Sequence, residues 1–289
     1  MFRDPLHGFF LSRFRMPASQ QPDSSPHSNA SVPASAGNSL LRLYAPVAMV
    51  IGLGSLAAIC LTWYPFAMLV GLLPLPGTLR RRIGRGAIFA GTRLYTWILR
   101  TLCFVRLDLR ALKTLRHERA LVIVANHPSL LDAILFMSQL PNTVCVMKAS
   151  LQQNILFGAA TRLAHYVSNA SPMQMIRQAC DELRRDAHLV IFPEGTRTSQ
   201  WPINPCSPAS AIMVQRAPAP MQQVFIEMST PYLGKGWPLF RPPVLPLVVT
   251  MRLGRRIDAP GEQLAADIAR QFEQDMREHF AVPSTSRHA

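Results

Sequence analysis

The chain has 289 residues, 49% of them hydrophobic and 16% charged, with a formal net charge of +14. That length accommodates one large α/β domain with appendages, and the excess of Lys and Arg calls for an anionic partner. Only four Trp, no basic run interleaved with aromatics and no zinc-type spacing argue against nucleic acid, leaving an anionic bilayer surface or an acidic carrier protein. The five cysteines, Cys60, Cys103, Cys145, Cys180 and Cys206, are odd in number and scattered, which fits a reducing compartment better than a disulfide framework.

In chain order, residues 1–40 are expected to form a disordered tail. From Pro17 to Asn38 the sequence is rich in Ser, Pro, Ala and Gln without periodicity, so it cannot bury enough apolar area to offset its ordering entropy. Phe9, Phe10, Leu11 and Phe14 form a sticky end or a short interfacial segment. Residues 41–79 are expected to form a membrane anchor. Leu43 to Leu79 contains no charge, and about twenty apolar residues suffice to cross a ~30 Å hydrocarbon core. Pro65, Pro74 and Pro76 are expected to break the helical pattern, as a kinked single span or as a shallow re-entrant hairpin. A buried core helix is the remaining alternative. Arg80, Arg81, Arg82, Arg85, Arg93 and Arg100 follow before any acid, against Arg42 alone on the other flank. By the positive-inside rule, residues 80–289 are cytoplasmic.

Ala87 to Leu107 is expected to form a second helix on the membrane or the domain. Apolar runs at 121–125, 143–147, 189–192, 224–228 and 245–251 then predict buried strands, several of them separated by helical patterns, hence a layered α/β sheet flanked by helices. Ser171-Pro172 opens a helix to Arg185, with Ser as cap and Pro at the first position. Leu264, Ile268, Phe272, Met276 and Phe280 recur every fourth residue, marking a C-terminal amphipathic packing helix.

Two blocks carry chemistry, each behind a strand. In Asn126-His127-Pro128-Ser129-Leu130-Leu131-Asp132, Pro128 suits the first turn of a helix to about Leu140. That places Asp132 where it can turn back to His127. A carboxylate on one imidazole nitrogen fixes the tautomer and leaves the other free to take a proton from an alcohol. The bland alternative is helix-terminal capping by Asn126 and Asp132, and Ser129 is expected to be an ordinary surface residue. In Phe192-Pro193-Glu194-Gly195-Thr196-Arg197, Gly195 lets backbone approach a ligand. Arg197 offers a planar fork suited to phosphate, and Thr196 and Thr198 add hydroxyls. Here the alternative is a turn with a Glu–Arg surface pair.

The two blocks, in this order and spacing, resemble the glycerolipid O-acyltransferase family (lysophosphatidate-acyltransferase-like, PlsC-like), whose marks are N-H-x4-D and F-P-E-G-T-R. The resemblance covers roughly residues 96–258. It implies that His127 is a general base partnered by Asp132, and that Glu194, Gly195, Thr196 and Arg197 shape the site and meet the acceptor's phosphate or head group. It also implies an acyl thioester donor, acyl-CoA or acyl-(acyl carrier protein), with no cofactor and no metal. Of the family's K-x2-L-x6-G-x12-R pattern, Lys148, Leu151 and Gly158 match, but Ser171 stands at the last Arg. Aligning on Val224-Phe225-Ile226 puts Gln223 where the family has a Pro. The implied protein is a membrane-anchored O-acyltransferase acting on a lysophospholipid-like acceptor at the cytoplasmic face. Rival expectations are a catalytically silent membrane-anchored lipid-binding protein and an acyl-thioesterase.

Overall fold

The computed structural model describes residues 39–152, 154 and 158–281. The tail expected over 1–40, including Phe9 to Phe14, lies outside them except for Ser39 and Leu40, which open the first helix. The side chain of Leu151 also lies outside the described residues.

The elements, in order, are α1 (Ser39–Leu72), α2 (Gly77–Leu102), β1 (Val105–Asp108), α3 (Arg110–Thr114), β2 (Leu121–Ala125), α4 (Asp132–Gln139), β3 (Thr143–Met147), α5 (Ala149–Gln152), α6 (Gly158–Leu163), β4 (Val167–Ser168), α7 (Pro172–Leu183), β5 (His188–Ile191), α8 (Pro208–Arg216), β6 (Met221–Met228), β7 (Leu247–Ile257) and α9 (Ala265–Ala281). The strands form one sheet in the order β1-β7-β6-β2-β5-β3-β4. Neighbours from β6 to β4 pair in parallel, β7 runs antiparallel to β6, and β1 is parallel to β7. This is a mixed α/β sheet flanked by helices.

The central strand shows why the sequence folds this way. Every residue of β2 is buried, so it reads as an unbroken apolar run rather than an alternating one. Fully burying one such large side chain is worth about 1.5–3 kcal/mol. The expected strands at 121–125 and 143–147 match β2 and β3, and those at 189–192, 224–228 and 245–251 fall within a few residues of β5, β6 and β7. Two strands were not foreseen. β1 has only four residues and a mixed burial pattern, and β4 has two, so neither presents a readable period. The expected helix over 87–107 is corrected: α2 starts at Gly77, contains the first arginines, and ends before β1.

The apolar segment is one helix of 34 residues with Pro46 and Pro65 inside it, about 51 Å long at 1.5 Å per residue. Pro65 therefore does not break it; Pro74 and Pro76 lie in the short connection before α2. By length and composition α1 is apolar enough to cross a membrane. It packs along α2: Tyr44 donates to the Leu102 carbonyl at 2.9 Å, and a Cβ on Gly52 would stand 3.5 Å from Leu99. Two arginines of the expected basic flank are otherwise engaged. Arg85 is buried and donates to Glu182 Oε2, Asn142 Oδ1 and the Ala164 carbonyl, while Arg81 pairs with Glu182 Oε1 at 3.1 Å. They bind α2 to α7 and to the loop before β4, which weakens the positive-inside argument built on them.

At the far end, Ile268, Phe272 and Met276 of α9 are buried, as expected of a packing helix, although Leu264 precedes the helix and is exposed.

Candidate active site

β2 and β5 are adjacent and parallel, with Val124 opposite Ile191. The loops leaving their carboxyl ends therefore start side by side, the usual place for a site in an open α/β sheet. The first loop carries His127 and the second carries Glu194.

The first loop begins with Asn126, fully buried. Its Nδ2 donates to the Ile226 carbonyl at 3.0 Å and its Oδ1 accepts the Ile226 N–H at 2.8 Å. Asn126 thus extends the pairing of β2 with β6 by one side chain instead of capping a helix. The chain then turns through Pro128 and Ser129, and α4 starts at Asp132 itself. This corrects the expected helix start at Pro128. Ser129 is corrected as well: it is buried, its N–H donates to Asp132 Oδ2 at 2.8 Å, and its Oγ accepts the Leu131 N–H at 3.2 Å.

His127 Nδ1 lies 2.9 Å from Asp132 Oδ2, with the carboxylate side chain 0% and the imidazole 17% exposed. An ionised carboxylate there makes Nδ1–H the donor and leaves Nε2 with a free lone pair. The ring lies against Phe192, with centroids 4.0 Å apart and planes 15° from parallel. Phe192 is the first residue of the second block, so the second block packs against the imidazole of the first. Burial pushes the Asp132 carboxyl above the ordinary carboxylate range, against the pull of His127, the Ser129 N–H and Arg197. Its Oδ1 has no hydrogen-bond partner and is buried.

Glu194 is also buried. Its Oε1 accepts the His127 N–H at 2.9 Å and the Thr198 hydroxyl at 2.7 Å, and its Oε2 accepts the Asn204 N–H at 2.9 Å. Burial raises its pKa above the usual value, again against these donors. The Thr198 N–H donates to the His127 carbonyl at 2.7 Å. Both Glu194 oxygens are committed to the protein, so it frames the site and is not itself a free ligand for substrate. No Glu194–Arg197 surface pair forms among the described residues.

Gly195 takes φ +66 with open space around its Cα, a left-handed turn that favours glycine. Thr196 beside it is exposed. Arg197 is half-buried and donates through Nη1 to the carbonyls of Leu233 at 2.9 Å and Gly234 at 2.7 Å. The Leu130 N–H donates to the same Leu233 carbonyl at 3.2 Å. The segment between β6 and β7 is thereby pinned over both motif loops, a partner that local sequence gave no signal for. Lys148 is exposed just beyond β3. Ser171 occupies the N-cap position of α7 but its side chain makes no cap bond, which corrects the expected cap. Gln223 lies inside β6, where its Oε1 accepts the Arg255 N–H at 3.2 Å.

Residues 106–231 match the family model of the acyltransferases. No curated protein matches the chain. Among solved structures, the crystal structure of the 1-acyl-sn-glycerophosphate (LPA) acyltransferase PlsC from Thermotoga maritima superposes with a TM-score of 0.60 at 17% identity, covering 84% of this chain and 99% of that one. The fold is PlsC-like, and residues 106–231 within it are similar to the acyltransferase family.

Proposed function

We propose that the protein is a membrane-associated O-acyltransferase that moves a fatty acyl group from a thioester to a hydroxyl of a lysophospholipid-like acceptor. One observation supports this above the others: a largely buried but accessible imidazole held at 2.9 Å by a fully buried carboxylate, with no nucleophilic side chain in the pair. That is a base with its orienting partner, and the nucleophile is left to the substrate.

His127 Nε2 takes the proton of the acceptor hydroxyl as its oxygen forms a bond to the thioester carbonyl carbon. The imidazolium formed is stabilised by Asp132. The tetrahedral intermediate then collapses, the carbon–sulfur bond breaks, and the thiolate recovers the proton from His127. Glu194 keeps the base in place through the His127 N–H, while Thr196, Arg197 and Lys148 border the acceptor head group. The donor is acyl-CoA or acyl-(acyl carrier protein). The α1 helix anchors the chain, with residues 80–289 at the cytoplasmic face. Ser171 stands where the family has a cation, so lysophosphatidate is expected to be a poorer acceptor than a lysolipid lacking a phosphomonoester.

The test is thioester consumption and acylated-lipid formation by the purified chain, with and without a panel of lysolipids. His127→Ala is expected to lose about a hundredfold to ten-thousandfold in kcat with folding unchanged. Near-normal transfer by that variant would sink the mechanism. Thioester cleavage at full rate without any acceptor would identify a thioesterase instead, and inertness with every acceptor and donor would leave a lipid-binding protein.

A further inference from the structure

A cleft of about 950 Å³ lies apart from the His127 site, between α2, β1, α3 and the end of α4 marked by Gln139. None of its lining residues belongs to either motif block. Arg93, Arg100, Arg110, Lys113 and Arg116 line it, with His117 beside them. The lone acid, Asp108, is held by Arg110 at 2.9 and 2.8 Å. Among the described residues no carboxylate pairs with Arg93, Arg100, Lys113 or Arg116. Glu118, next in sequence, is taken by Arg256.

Two of these cations share one aromatic ring. The Arg93 and Arg116 guanidinium groups stand 5.5 and 5.6 Å from the centroid of one ring, Phe89. Like charges gathered on one surface in excess of the single acid there repel, and a bound anion relieves that repulsion. Guanidinium forks match phosphate oxygens in both shape and charge.

The cleft is walled on one side by α2, whose other face packs on the apolar α1. Beside Arg93, the same helix exposes Leu94 and Trp97, and the paired stretch of α1 exposes Leu43, Val47 and Val50. A Trp next to cations at the edge of an apolar surface is the usual arrangement at a membrane interface, and basic pockets beside membrane helices bind lipid head groups.

We infer that this cleft is a second, non-catalytic site, which grips the phosphate of an anionic glycerophospholipid and so fixes the protein on the bilayer. The inference does not depend on acyl transfer at His127. The ligand chemistry is a phosphoester, and the lipid source is favoured over a soluble one by the exposed apolar residues around the cleft.

The test is flotation of the full chain, at fixed ionic strength, with vesicles of phosphatidylcholine alone or with one-third phosphatidylglycerol. Arg93→Gln combined with Arg116→Gln is compared with a control pair of equal charge change, Arg177→Gln with Arg277→Gln. Each cation near an anionic surface is worth about fivefold in partitioning. The first pair is therefore expected to lose about twentyfold on anionic vesicles, with no change on neutral ones, and the control less than about threefold. Lys113→Glu, at an exposed position, is a second variant with the same expected direction. Equal losses in both pairs would overturn the site in favour of diffuse net charge. Displacement of the unmodified chain from anionic vesicles by millimolar adenosine 3′,5′-bisphosphate would overturn the lipid source in favour of a soluble phosphoester.

Discussion

The loops after β2 and β5 each bury a carboxylate against backbone N–H groups, and they use it differently. Asp132 spends one oxygen on Ser129 and His127 and leaves the other without a partner. Glu194 spends both oxygens on three donors that belong to separate stretches of chain. In the proposed mechanism one carboxylate answers a charge that forms on the ring, whereas the other is saturated and has nothing left to give. The comparison separates chemistry from framework within a single layer of the structure, and substitutions at the two positions should fail in different ways.

The largest effect is expected at Asp132→Asn. The amide keeps the shape but not the charge that selects the tautomer and stabilises the imidazolium, so kcat should fall about a hundredfold or more. Stability should not follow activity. Burial raises the Asp132 pKa, so the folded state binds that proton more tightly than the unfolded chain. The wild-type contribution is therefore fully present below the ordinary carboxylate pKa and is lost as pH rises through the raised one. Asn carries no such penalty, and the Tm of Asp132→Asn relative to wild type is expected to climb as pH rises across that window. A variant that loses Tm steadily with rising pH would show that the carboxylate is stabilised, not strained, by its surroundings.

At Glu194→Ala the order reverses. Three donors lose their acceptor, at about 1–3 kcal/mol for each left unmet, so stability should drop by about 3 kcal/mol or more in urea unfolding. Among molecules that remain folded, turnover is expected to fall about tenfold, because His127 keeps Asp132 but loses the bond on its own N–H. A Glu194→Ala protein of normal stability and negligible activity would place Glu194 in the chemistry and erase the contrast.

Much of this was legible in the sequence because the informative groups are local. The spacing of His127 and Asp132 is short enough for one loop to decide their contact, and the run that became β2 is apolar throughout because both faces of the sheet are covered there. What escaped depends on partners distant in sequence. A capping role for Asn126 stood open as the bland alternative because its true partner, Ile226, is a hundred residues away. Ser129 looked exposed because a serine beside a proline gives no hint of the 2.8 Å bond its N–H makes to Asp132. The arginines after the apolar segment looked like a basic flank because Glu182, which pairs with both Arg81 and Arg85, lies across the fold in α7. Pro65 looked like a break because a proline-containing helix is stabilised by packing that only the folded chain supplies.

Arg197 should give the smallest effect, and it tests whether framework and chemistry are wholly separate. Its Nη1 bridges two carbonyls of the segment over the site, a task a lysine ammonium can partly perform, since it too offers several donors from one point. Arg197→Lys is therefore expected to retain kcat and to shift stability by less than about 1 kcal/mol. What a lysine cannot do is hold a carbonyl and present a second, coplanar prong to a phosphate at the same time. If the remaining guanidinium nitrogens meet the acceptor, KM should rise about tenfold for a phosphate-bearing lysolipid, equivalent to one lost charge-assisted hydrogen bond. For an uncharged monoacylglycerol it should stay within about threefold. Equal increases for both acceptors would reduce Arg197 to a clamp, joining Glu194 in the frame and leaving His127 and Asp132 alone with the chemistry.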